Sequence, residues 1–186
     1  IELSARSGQQ GEYPYAAVIV RNGEFVCESI NKVATERDVT RHAEIVAIQD
    51  AQKILGLTSL DDCTIYSNAE PCAFCSYAIR ESRIGRVVYA ISSPMMGGFS
   101  KWNVLSDQQI SDVMPQVFGG VPQISAGLMY RDAAAVWRGT AIDFGAMSFA
   151  LAGVSIPNFW LGPLLAIVFS VELGWLPVSG RGSLAN

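Results

Sequence analysis

Whatever this chain folds into must bring together two short stretches whose key residues, His42 and Cys72, lie 30 positions apart. They are Thr40-Arg41-His42-Ala43-Glu44 and Glu70-Pro71-Cys72-Ala73-Phe74-Cys75. The first offers an imidazole and a carboxylate two residues apart. The second offers two thiols at i and i+3, directly after a proline. His42 is the only histidine in the chain, so no other imidazole can complete the set. One nitrogen and two sulfur donors make up a catalytic zinc site in which three protein ligands leave a fourth position open to water.

Pattern along the chain supplies elements on which to hang these ligands. Residues 1–10 read as the end of a helix, stopped by Gly11 and Pro14. The apolar run 15–20 reads as a strand, Asn22-Gly23 as a two-residue hairpin turn, and 25–33 as the returning strand. Residues 35–40 are polar and read as loop. A helix is expected over 41–55, with Ile45, Ile48 and Leu55 on one face and Gly56 at its C-cap. Residues 63–67 form a β-rich segment, and Pro71 opens a helix running to about residue 82. A strand over 86–90 follows Gly85. A loop with Pro94, Gly97 and Gly98 then carries Phe99 and Trp102. A short helix over 106–114, a strand over 123–128 and a helix over 129–138 complete the pattern. Strands alternating with helices predict an α/β fold of three layers, α/β/α, with the sheet covered on both faces.

On these elements His42 stands at the start of one helix, and Cys72 and Cys75 in the first turn of the next. Residues three apart on a helix face the same way, so both sulfurs can reach one ion. The partial positive charge of a helix N-terminus also favours the thiolate that binds metal. Zinc held there brings the pKa of a bound water to roughly 7. Glu44, two residues from His42, is placed to carry that water's protons. Taken alone, Cys72-x-x-Cys75 reads equally as a structural zinc or redox pair, and Glu44 as a first-turn helix acid. Neither reading accounts for His42 and Glu44 together. Cys27 and Cys63 lie in apolar strand-like runs and read as buried thiols.

H-x-E followed by P-C-x-x-C is the signature of zinc deaminases. Over residues 13–138 the chain resembles the cytidine and deoxycytidylate deaminase superfamily. Within it, the chain is similar to the free-standing deaminases that include guanine deaminase and tRNA adenosine deaminase. Pro14-Tyr15-Ala16-Ala17-Val18-Ile19-Val20 resembles the family's first strand, P-F-G-A-V-I-V, with departures at Tyr15 and Ala16. The resemblance implies a five-stranded mixed sheet between helices, commonly in a homodimer, and Zn2+ held by His42, Cys72 and Cys75. It implies hydrolytic deamination of a small-molecule base or nucleoside of guanine, cytosine or adenine type. Water attacks an amidine-like ring carbon, Glu44 moves a proton to the ring nitrogen and then to the leaving amine, and ammonia departs. Asn31 matches the asparagine that hydrogen-bonds base or sugar, its alternative being a turn residue at a strand end. The backbone N–H of Ala43 is expected near the substrate, and Glu70 as a local structural partner. Phe99 and Trp102 are candidates for a loop closing over the base, or equally for core.

A net charge of −4 argues against a large nucleic-acid surface, which needs clustered Lys and Arg. Four cysteines without a disulfide framework point to a reducing cytoplasm for the catalytic part. Charge is unevenly spread: residues 1–138 carry 12 Lys or Arg and 15 Asp or Glu, residues 139–186 one Arg and two acids. Residues 144–171 are 28 positions without charge, long enough to span a bilayer core of about 30 Å, which takes about 20. Pro157 and Pro163 interrupt them. The wording of 154–163 and 173–182 resembles the permease subunit of dipeptide and oligopeptide ABC importers. The domain reading is therefore a deaminase over 1–138 and a hydrophobic, helical, permease-like fragment over 139–186, membrane-associated through 144–171. Its rivals are a membrane transport component carrying a deaminase-like domain, and a zinc-stabilised binding module without turnover. A further rival for the tail is an extra helix folded onto the deaminase. The chain opens at Ile1 rather than methionine, without a secretory leader, so its N-terminus is expected to lie upstream.

Overall fold

Asn22 and Gly23 both take positive φ, 51° and 85°, the backbone of a type I′ turn whose twist matches that of paired strands. They fold β1 (Ala16–Arg21) onto β2 (Glu24–Ile30) in antiparallel register, Arg21 opposite Glu24 and Ala16 opposite Ile30. The computed structural model describes residues 1–139. Before the hairpin comes α1 (Glu2–Gln9). After it come α2 (Val33–Glu36), α3 (Ala43–Leu55), β3 (Cys63–Ala69), α4 (Ala73–Glu81), β4 (Arg86–Ile91), α5 (Gln108–Val113) and β5 (Gln123–Ala126). Residues 130–139 are helical. The chain separates into two units, Ile1–Thr140 and Ala141–Asn186. The segment 139–186, expected to be permease-like, and its uncharged stretch 144–171 fall, but for Gly139, outside the described residues. Among the described residues no helix is long and apolar enough to cross a membrane.

The five strands form one mixed sheet in the order β2-β1-β3-β4-β5. β1 is antiparallel to both neighbours, while β3, β4 and β5 are parallel. Two strands antiparallel to β1 point the same way, so β2 and β3 both end at one edge of the sheet. The chain leaves that edge twice, once toward His42 and α3, once toward Cys72 and α4. Carboxyl ends of strands, where the strand order reverses, are where open α/β sheets build their sites.

One sheet face carries Ala17, Ile19, Cys27, Ile65, Val87 and Tyr89, buried against Ala43, Ala47, Ile48 and Ala51 of α3 and Ile79 of α4. The helix stripe thus differs from the expected Ile45, Ile48 and Leu55. Ile45 and Leu55 are only partly buried, and alanines at 43, 47 and 51 let α3 lie close on β1 and β2. On the other face α1 packs against β1 and β2, while Tyr15 packs on the α3 side of the sheet and meets the Trp137 ring edge to face at 5.0 Å. The second strand also stops sooner than 25–33 suggests. It ends at Ile30, and Val33–Glu36 turn helical where loop was expected. The cause is Glu12, which accepts the backbone N–H groups of Ala34 and Thr35 at 3.0 Å each, satisfying donors that open a helix.

Candidate metal and catalytic centre

His42 is the N-cap of α3 and Cys72 the N-cap of α4, each in extended backbone, with Cys75 one turn into α4. Gly56 ends α3 in the left-handed conformation at φ 65°, as its C-cap position requires. The two helices pack together, which closes the separation between the motifs. His42 Nδ1 lies 3.6 Å from Cys72 Sγ and 3.4 Å from Cys75 Sγ. All three donor atoms lie within 4.8 Å of one another. A tetrahedral zinc with Zn–S near 2.3 Å and Zn–N near 2.0–2.1 Å sets its nitrogen and sulfur ligands about 3.6 Å apart. These three side chains could hold such an ion. Phe74 steadies the ring, its centroid 5.9 Å from that of His42 in an edge-to-face contact.

The charges ask for a cation. Hydrogen bonding from the Cys75 thiol and from His42 outweighs burial and brings Cys72 down to about 4. Cys75 is pushed up, because it donates to Cys72, is buried, and faces Glu44. His42 is raised, first by its hydrogen bond with Cys72. A dication between the sulfurs supplies what the second thiolate lacks. Neither sulfur is in a disulfide, and Cys27 and Cys63 are likewise free and buried.

Glu44, in the first turn of α3, is buried beside this cluster. Its Oε2 lies 3.4 Å from Cys75 Sγ and its Oε1 lies 3.2 Å from the Ser67 hydroxyl. Burial raises its carboxyl above the usual range. Ser67 Oγ also donates to Ala69 O at 2.5 Å. With its proton committed there, the hydroxyl can accept from Glu44 when the carboxyl is protonated. Ala43, fully buried, opens α3, so its N–H has no partner within the helix. Its carbonyl accepts the Ser29 hydroxyl at 2.5 Å.

Asn31 is 3% exposed at the end of β2. The next residue, Lys32, donates its N–H to Arg41 O at 2.9 Å, which sets Asn31 beside the turn that carries His42. Phe99 and Trp102 are 39% and 59% exposed, so neither is core. Their loop is tied to the ligand turn. Glu70, buried, accepts Ser93 N–H at 2.7 Å, Phe99 N–H at 3.0 Å, Ser100 N–H at 2.6 Å and Ser100 Oγ at 2.8 Å. Gly98 N–H donates to Pro71 O at 2.8 Å, and Gly97 pairs with Cys72 across an isolated bridge. A side chain at Gly97 would meet the Glu70 carboxylate at 2.1 Å, and one at Gly98 the Ser76 hydroxyl at 1.8 Å.

Three residues at this centre carry no motif signal. Ser67 lies inside a β-rich run. Glu12 contacts groups remote in sequence. Tyr15 is read from the sequence only as strand, yet it packs against the buried cluster that includes Ala43, and its hydroxyl pKa is raised by burial and then by the charges of Glu44 and Cys72.

Comparison with known proteins agrees with this geometry. Residues 1–91 match the model of the cytidine and deoxycytidylate deaminase zinc-binding region. The chain is 36% identical over 107 residues to the tRNA-specific adenosine deaminase of Aquifex aeolicus (strain VF5), covering 57% of this chain and 71% of that protein. It is 47% identical over 77 residues to the guanine deaminase of Bacillus subtilis (strain 168), covering 41% of this chain and 49% of that protein. The match thus spans about half the length of that guanine deaminase. Among solved structures, one from a study of A-to-I editing by tRNA:A34 deaminases superimposes with a TM-score of 0.64 at 30% identity. It covers 73% of this chain and 93% of that one.

Proposed function

The chain belongs to the cytidine and deoxycytidylate deaminase family, and on that premise we propose that it hydrolyses the exocyclic amine of a free base or nucleoside. Zinc is the metal of this family's domain. We assign its binding to His42, Cys72 and Cys75, proton transfer to Glu44, and contact with the base to Asn31, the Ala43 N–H, Phe99 and Trp102. The observation that carries the reading is one nitrogen and two sulfur donors within 4.8 Å of one another, with the buried Glu44 carboxylate 3.4 Å from Cys75.

Zinc in this site supplies a nucleophile by lowering the pKa of water to about 7. The rest is the chain's own work. Glu44 has a carboxyl raised by burial, so it exchanges a proton more readily near neutrality than an exposed acid. It takes the proton released by the attacking water and gives it to the ring nitrogen. It then takes the second proton from the hydroxyl now on the ring carbon and passes it to the departing amine, so that the C–N bond breaks as the carbonyl forms and ammonia leaves. Ser67 holds Glu44 on one side, and Cys75 on the other. Packing of α3 on the sheet leaves the Glu44 side chain buried.

A small substrate is favoured over a polynucleotide by the net charge of −4, since a phosphate backbone calls for clustered Lys and Arg. The longer match to tRNA-specific adenosine deaminase favours a second reading, adenosine within tRNA. Ammonia release from zinc-loaded protein separates them, using guanine, cytosine, adenine, their nucleosides and a tRNA transcript. Turnover of a base or nucleoside supports the first reading. Turnover of the transcript alone replaces it with the second. We assign catalysis to residues 1–138, so a chain ending at Arg138 retains zinc and turnover.

A further inference from the structure

Glu12 is a carboxylate 6% exposed, with no cation paired to it among the described residues. Five donors surround it instead. Its Oε1 accepts the Asn31 side-chain amide at 2.8 Å and the Tyr13 N–H at 3.0 Å. Its Oε2 accepts the N–H of Ala34 and of Thr35 at 3.0 Å each and the Thr35 hydroxyl at 3.1 Å. Burial works against its ionisation, but the N–H groups of Thr35 and Tyr13, the Asn31 amide and the Ala34 N–H outweigh it and hold the carboxyl at about 2.

The chemistry of this pair removes an ambiguity. An ionised carboxylate can only accept hydrogen bonds, whereas a carboxamide has a donating and an accepting end. Asn31 must therefore turn its nitrogen to Glu12, since the flipped amide would set two acceptors against each other. One amide proton is spent on Glu12. The second proton and the carbonyl oxygen have no partner among the described residues, and they form the edge available to a ligand. The backbone of Asn31 is fixed as well, its N–H donating to Tyr15 O at 3.0 Å. Glu12 thus reaches from the end of α1 to lock one specified edge of Asn31 beside the His42 turn.

We propose that Glu12 is a positioning residue for specificity, which by fixing the Asn31 carboxamide sets which hydrogen-bonding edge of the base the site accepts. This rests on the reading of Asn31 as a base contact. A Gln at position 12 carries both a donor and an acceptor, so it accommodates either orientation of the amide and the fixed edge is lost.

The test is a double-mutant cycle on the zinc-loaded full chain: wild type, Glu12→Gln, Asn31→Ala and the pair, assayed with guanine and adenosine. Zinc content and thermal midpoint are measured in parallel. Glu12→Gln is expected to raise KM about tenfold, the scale of one misdirected hydrogen bond, with a smaller change in kcat and unchanged zinc. It should also narrow the ratio of kcat/KM between the two substrates. In the Asn31→Ala background the same change should leave KM alone yet still lower the thermal midpoint, because α2 loses part of its acceptor. An equal rise in KM in both backgrounds overturns the proposal, as does a KM that moves with Asn31→Ala but not with Glu12→Gln. A KM unmoved by Asn31→Ala overturns both the proposal and the reading of Asn31 beneath it. Should Glu12→Gln fail to accumulate as folded protein, Glu12→Asp keeps the acceptor but withdraws it by one methylene. It should raise KM in the same Asn31-dependent way.

Discussion

His42, Cys72 and Cys75 are placed by backbone, at the N-cap and first-turn positions of two helices that pack together. Of the groups assigned to the substrate, Asn31 and the loop carrying Phe99 are placed by two isolated carboxylates. Glu12 fixes Asn31 and opens α2, and Glu70 pins residues 93–100 against the metal-binding turn. The metal end is therefore local, each ligand aimed by the helix start at which it stands. The substrate end is assembled from contacts 19 to 30 residues apart. A metal site built on regular elements tolerates sequence change around it. A substrate wall hung on single acceptors can be re-aimed by one substitution, which suits a fold whose relatives include an adenosine deaminase and a guanine deaminase.

The two ends should fail differently. His42→Ala is expected to be the most severe change, losing both the zinc and all ammonia release, read by metal analysis and a coupled assay. Retention of stoichiometric zinc would show that the ligand set is drawn wrongly. Glu70→Ala should keep zinc but leave the N–H groups of Ser93, Phe99 and Ser100 without their acceptor. Each such donor costs about 1–3 kcal/mol when buried. These are partly buried, so a loss near 2 kcal/mol in urea unfolding is expected, with KM rising about tenfold. A fall in zinc content instead would merge the two regions that the comparison separates.

A subtler contrast lies in pH. The Glu12 carboxyl is lowered from 4.5 to about 2 in the folded protein, so its stabilising contribution is complete above the unfolded value and is lost as pH falls through about 2. Wild type and Glu12→Gln should therefore differ most in urea midpoint near neutrality and converge toward pH 2. A constant gap across that window would detach the effect from the charge. The smallest effect is expected from ending the chain at Arg138, which should leave zinc content and kcat/KM within about twofold, a difference of about 0.4 kcal/mol. Loss of folding in the short form would make the remaining segment part of the enzyme.

These two regions also differ in how far residues alone reveal them. An imidazole, a carboxylate and two thiols at helix spacing specify metal chemistry without reference to anything distant. Both helices nonetheless start two residues later than expected, at Ala43 rather than 41 and at Ala73 rather than Pro71, because His42 and Cys72 take extended backbone as N-caps. Asn22-Gly23 likewise marks its turn through local φ preference. The Glu12 clamp has no such signature, because its partners Asn31, Ala34 and Thr35 are chosen by tertiary approach. The same approach ends β2 at Ile30 and turns 33–36 helical. The buried stripe of α3 escapes notice for another reason. Weight of hydrophobicity selects Ile45 and Leu55, while close packing on β1 and β2 selects alanines. Residue type alone likewise leaves Phe99 and Trp102 undecided between core and a loop over the base, and their exposure excludes core.

The division of labour at the centre rests on Glu44, the one group there assigned to move protons without holding metal. The direct measurement is zinc stoichiometry and single-turnover ammonia release for wild type and Glu44→Ala, with the substrate that the panel identifies. Equal zinc in both proteins, with the rate in Glu44→Ala reduced by about 10²–10⁴-fold, is the predicted result. An undiminished rate in Glu44→Ala, or full zinc in wild type with no ammonia from any base, nucleoside or tRNA, would contradict it.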